Sequence, residues 1–126
     1  MHKSRLGGII IDCHSDNLDA DAEFWSKALG RNAKRSPKPE DMNYVELTGS
    51  PEEIHLEVQK VDHPSRVHID IEADDIEAEV ARLEKLGAKR IGMVRTWCVM
   101  EAPSGHRFCV VRPQRSTFDD EANTWE

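Results

Sequence analysis

The strongest constraint on what this chain can fold into is that it repeats itself. Ile9-Ile10-Ile11-Asp12-Cys13-His14 lies over Val67-His68-Ile69-Asp70-Ile71-Glu72, 58 residues on. The register continues without gaps. Asp16 falls on Asp74, Leu18 on Ile76, Asp19 on Glu77, Ala20 on Ala78, Ala22 on Val80 and Trp25 on Leu83. It slips by one residue before Leu29-Gly30 meets Leu86-Gly87. Two long copies are too few for a solenoid, so a paired, pseudo-symmetric α+β domain is expected.

Each copy reads as a βαβββ unit. An apolar strand comes first, at about 7–14 and again at about 66–73. Carboxylates then open a helix, Asp16 to Asp19 and Asp74-Asp75, where they complement the helix dipole. Leu18, Ala22, Trp25 and Leu29 keep helical spacing in one copy, and Ile76, Val80 and Leu83 in the other. Gly30 and Gly87 close the helices as left-handed caps. Three strands follow each helix, at about 31–36, 43–48 and 54–60, then at about 89–95, 97–102 and 106–112. Pro37-Lys38-Pro39 and Pro103-Ser104-Gly105 are turns, and His63-Pro64-Ser65 links the copies. Module one spans about 7–61 and module two about 66–113, within one domain over 1–113. Residues 114–126 form a polar tail bearing Phe118 and Trp125: either a partly disordered end or an arm that docks its Trp.

Three Trp and three Phe, with many Ile, Val and Leu, fill one modest core in 126 residues. A net charge of −7 repels phosphate backbones and anionic lipid, so neither nucleic acid nor membrane is an expected partner. No apolar run reaches the ~20 residues of a membrane helix, and Met1 to Arg5 carries no apolar signal core. Cys13, Cys98 and Cys109 are odd in number and lack zinc-finger spacing, which suits reduced thiols in the cytoplasm. Phosphate loops, nucleotide fingerprints and Ser-His-Asp signatures are absent.

Two βαβββ units with Phe24-Trp25-Ser26-Lys27-Ala28-Leu29-Gly30 closing the first helix resemble the vicinal oxygen chelate superfamily, which includes glyoxalase I, extradiol dioxygenases and bleomycin-resistance proteins. The second half adds Val67-His68-Ile69-Asp70, Leu86-Gly87 and Ala102-Pro103-Ser104-Gly105-His106-Arg107-Phe108. That last stretch is similar to the superfamily's Asp-Pro-x-Gly-Asn turn, departing from it at Ala102 and His106. The nearest likeness is to its glyoxalase-like domain group, over about 7–113. The resemblance implies a curved mixed sheet around a cavity, with helices on the outer face, and commonly a homodimer.

Strand alternation then sorts side chains. Ile9, Ile11 and Cys13 face the helix, leaving Ile10, Asp12 and His14 for the cavity; His68, Asp70 and Glu72 repeat this. Leu56 and Val58 point inward with Ile54, leaving His55, Glu57 and Gln59 opposite. Phe108 and Val110 are core, leaving Arg107, Cys109 and Val111. Metal-dependent members of the superfamily draw four ligands from these faces, and the resemblance carries those slots to Ile10, Glu57, His68 and Cys109. Ile10 cannot bind a metal, and Cys109 stands where a Glu is usual. His68 and Glu57 are the expected metal residues, an incomplete set. Asp12, His14, His55, Asp70, Trp97, Arg107 and Cys109 join them as candidates for contact with a small molecule.

The resulting expectation is a cavity that binds a small molecule without a cofactor, in the manner of bleomycin-resistance proteins. The alternative is a lyase, isomerase or dioxygenase using one divalent ion (zinc, nickel, iron or manganese) as a Lewis acid. Glyoxalase I activity itself is not expected, since two of the four slots are altered. A third possibility is an interaction module whose tail docks on a partner.

Overall fold

The computed structural model describes all of residues 1–126. In chain order the elements are β1 (His2–Cys13), α1 (Leu18–Leu29), β2 (Ala33–Lys34), β3 (Tyr44–Leu47), β4 (His55–Lys60), β5 (Arg66–Ala73), α2 (Ile76–Lys85), β6 (Lys89–Val94), β7 (Trp97–Glu101), β8 (Arg107–Val111), α3 (Phe118–Glu121) and β9 (Asn123–Trp125). A 3-10 turn covers Pro39–Asp41. The fold is α+β, and the βαβββ order appears twice. The chain forms two compact units, Ile9–Val67 and Met1–Gly8 with His68–Glu126, called here the α1 unit and the α2 unit.

In the α1 unit the strand order is β2-β3-β4-β1. β3 and β4 run antiparallel with Val45 opposite Val58 and Leu47 opposite Leu56. Those four side chains are buried with Cys13, Leu18 and Ala22, and Ile9, Ile11 and Trp25 pack on them. The apolar face of α1 therefore meets the odd-numbered side of β1, as alternation requires. Asn17, rather than the neighbouring aspartates, caps α1 by accepting from the Ala20 amide at 3.1 Å. Gly30 ends it at φ 71°, a conformation costly for any residue with a Cβ. The strand expected over 31–36 contracts to Ala33–Lys34, because the prolines that follow lack amide donors and lead into the 3-10 turn.

In the α2 unit the order is β1-β5-β8-β7-β6, with β9 also on β1. β5 and β8 are parallel, whereas β7 is antiparallel to both β8 and β6, so the sheet is mixed. Val80 and Leu83 of α2 bury against Ala73, Cys98, Met100, Phe108 and Val110. Asp75 caps α2 by accepting from the Ala78 amide at 3.0 Å. β1 starts at His2, five residues before the apolar run that marks it in the sequence. Its early residues are polar because their partners are polar. Ser4 is buried against Glu79, and Arg5 donates to the buried Glu72.

The tail is an ordered arm. β9 pairs antiparallel with β1, His2 opposite Trp125 and Ser4 opposite Asn123. Trp125 donates its indole N–H to Ser4 Oγ at 2.8 Å, and the Arg82 guanidinium stacks 3.9 Å from its ring centroid. Phe118 is buried. Of the two sequence expectations for residues 114–126, docking is the one realised.

Candidate functional site

β5 of the α2 unit carries Ile71 and Ala73 toward α2, so the pleat turns His68, Asp70 and Glu72 to the opposite face. β8 does likewise. Phe108 and Val110 are core, and Cys109 lies on the other side. The parallel register sets Asp70 directly beside Cys109. Nitrogen of His68, oxygen of Asp70 and sulfur of Cys109 consequently converge, all within 4.8 Å of one another. His68 Nε2 stands 3.5 Å from Asp70 Oδ1, with side chains 12% and 14% exposed. That buried oxygen accepts no hydrogen bond. A carboxylate oxygen so withdrawn from water calls for a cation or a donor.

The three groups fit a divalent ion. Ligand atoms sit about 2.0–2.3 Å from zinc, hence roughly 3–4 Å from one another, and the donor atoms here lie within 4.8 Å of one another. A neutral imidazole with a carboxylate and a thiolate would balance a 2+ charge. Asp70 Oδ1, buried and without a hydrogen bond, is the observation that supports this fit.

On the same face of this unit, Val99 of β7 lies opposite Cys109, and Glu101 opposite Arg107. Arg107 Nε donates to Glu101 at 3.3 Å, with both side chains partly solvated. Trp97 shares this side, with the Arg95 guanidinium 5.5 Å from its ring centroid. At the end of β5, Glu72 is fully buried and receives Arg5 Nε at 2.5 Å, the Gln114 amide at 2.7 Å and Arg115 Nη2 at 3.4 Å. The arm therefore leaves β8 across Glu72, two residues along from Asp70.

The other sequence candidates belong to the α1 unit. His55 Nε2 lies 3.1 Å from Glu57 Oε1 on the polar face of β4. Gln59 donates to the Tyr44 hydroxyl at 3.3 Å beside them. Asp12 is buried and takes Arg66 Nε at 3.4 Å, the structural pairing usual for such a carboxylate. His14 is exposed; its backbone amide donates to Ser65 Oγ at 3.0 Å. Ile10, where the repeat places His68 in the other copy, is 3% exposed.

The donors that converge in the α2 unit are His68, Asp70 and Cys109, whereas Glu57, the other residue expected to hold a metal, belongs to the α1 unit. Glu57 is engaged by His55, and Asp70 and Cys109, expected as small-molecule contacts, join His68. The His68-x-Asp70 spacing was visible in sequence. The register that adds Cys109 was not, because 38 residues separate it from Asp70. The remaining cysteines, Cys13 and Cys98, are core thiols whose pKa values burial pushes up, away from thiolate chemistry.

The glyoxalase-like domain family matches residues 8–111. No curated protein matches the sequence. Among solved structures, a hypothetical protein from Bacillus halodurans C-125 superposes with a TM-score of 0.63 at 13% identity, over 90% of this chain and 96% of that one. A methylmalonyl-CoA epimerase from Streptomyces coelicolor, in complex with 2-nitronate-propionyl-CoA, reaches a TM-score of 0.62 at 18% identity, over 86% and 96%. The Mn(II)-bound glyoxalase from Novosphingobium aromaticivorans gives 0.62 at 17% identity, over 90% of this chain and 42% of that one. At these identities the likeness establishes the fold.

Proposed function

The chain belongs to the glyoxalase-like domain family of the vicinal oxygen chelate superfamily, and on that premise we propose that it holds one divalent ion on His68, Asp70 and Cys109 and binds a small molecule there. The observation that carries this reading is the convergence of three donor atoms within 4.8 Å on adjacent parallel strands. The Mn(II) in the Novosphingobium glyoxalase gives support by analogy. A bound ion would supply Lewis-acid polarisation to oxygens of the small molecule. The chain's own residues shape the rest. Trp97 offers an aromatic wall, and Arg107, partly solvated beside Glu101, offers a cation to an anionic group. His68 and Asp70, with buried polar atoms a few ångströms apart, are placed to orient a ligand hydroxyl or carbonyl.

Elemental analysis of untagged protein, purified without chelator, tests the reading. Near-stoichiometric metal that is lost in His68→Ala is the expected result. Protein without metal, and unable to take it up on dialysis against zinc or manganese, would overturn it.

A second reading, a metal-free pocket of the bleomycin-resistance type, is favoured by one observation. Ile10 is a buried aliphatic at the repeat equivalent of His68, so the pseudo-symmetric copy offers no donor there. Ligand-induced thermal shifts that persist in chelator and in His68→Ala would favour it.

A further inference from the structure

We infer that the ion site on β5 and β8 is selective for thiophilic ions, zinc above all, with Cys109 bonding as a thiolate. The inference rests on the metal reading above and specifies the chemistry of that same site.

Cys109 differs from the chain's other cysteines in where its sulfur lies. Cys13 and Cys98 sit inside the two apolar cores. Cys109 alternates out of the core between Phe108 and Val110, and its sulfur lies within 4.8 Å of a nitrogen of His68 and an oxygen of Asp70. The donor set is therefore one nitrogen, one oxygen and one sulfur. Sulfur decides the preference. Thiolates bind zinc, cadmium and cobalt well, whereas manganese and magnesium favour sites of oxygen and nitrogen. Three protein donors with an open fourth position are also the arrangement of catalytic zinc sites, which leaves room for a ligand oxygen. Asp70 Oδ1, buried without a hydrogen bond 3.5 Å from His68 Nε2, is the group that the ion would satisfy.

The test titrates the full-length chain with Co(II), Zn(II) and Mn(II). Cobalt is expected to produce a sulfur-to-metal charge-transfer band in the near ultraviolet. Zinc should displace it stoichiometrically, and manganese should not. In Cys109→Ser the band should vanish and zinc affinity fall by about tenfold or more, the scale on which metal sites respond to lost ligation and support. If that variant does not fold, the wild-type protein still decides the matter. Zinc should protect Cys109, mapped by mass spectrometry, from alkylation by iodoacetamide. Manganese bound as tightly as zinc, without a thiolate band, would overturn this inference and leave the metal reading standing. Absence of binding by all three ions would overturn both.

Discussion

At the residue scale α2 buries a carboxylate. Glu79 is fully buried, yet it sits on the helix stripe defined by Ile76, Val80 and Leu83, where an apolar residue would be usual. Its carboxylate is fully engaged. Arg82 donates twice at 2.8 Å, Ser4 Oγ donates at 2.8 Å and His2 Nε2 lies at 2.8 Å. Burial alone would raise its pKa. Hydrogen bonds from Arg82, His2 and Ser4, with the charge of Arg82, outweigh that and hold it below the usual glutamate range. Because the folded-state pKa is depressed, the stabilisation is present above the unfolded value of about 4.3 and fades as pH falls through the folded value. Urea denaturation should therefore show wild-type stability declining below about pH 4. Glu79→Gln should be less stable at neutral pH and lose less on acidification. Glu79→Ala, which leaves the buried Ser4 hydroxyl and the partly exposed Arg82 guanidinium without their acceptor, should cost about 1–3 kcal/mol at pH 7.

At the element scale the arm behaves as an added edge strand. Three residues of β9 could not hold a strand alone, since short isolated pairings are marginal in water. What holds them is the side chain of Trp125, between Ser4 and Arg82, together with Phe118 and the Arg5 guanidinium 5.6 Å from its ring centroid. Trp125→Ala should destabilise the α2 unit by about 1–3 kcal/mol. It should also speed hydrogen exchange at the amides of His2 to Ser4, the β1 residues that β9 covers. Unchanged exchange there would show that the arm contributes nothing to the order of β1. Close approach of β1 to β5 explains why Gly7 is glycine: a Cβ at that position would sit 3.0 Å from the Cβ and Cγ of Glu72, which Arg5 and Arg115 clamp.

At the scale of the whole molecule, two cores of similar make serve two units of unequal composition. Val58 is completely buried in one and Val110 in the other. Truncating either to alanine should cost roughly 2 kcal/mol. Native-state hydrogen exchange should then rise first in β3 and β4 for Val58→Ala, and in β7 and β8 for Val110→Ala. Equal acceleration everywhere would mean that the two cores melt as one. No helix in the chain is long and apolar enough to cross a membrane.

The sequence by itself determined the repeat, the order of elements and the facing of most strands. Period-2 alternation at Leu56 and Val58, or at Phe108 and Val110, is set by local backbone geometry and needs no distant partner. It also flagged His68, Asp70 and Cys109 as cavity-facing candidates. Strand register brought Asp70 beside Cys109, and so turned separate candidates into one donor set. Tertiary contact made the polar start of β1 a strand, buried Glu72 and Glu79, and folded the arm around Trp125. Those outcomes depend on partners far apart in the chain, 121 residues in the case of Ser4 and Trp125, and no window along the chain contains both halves of such an interaction.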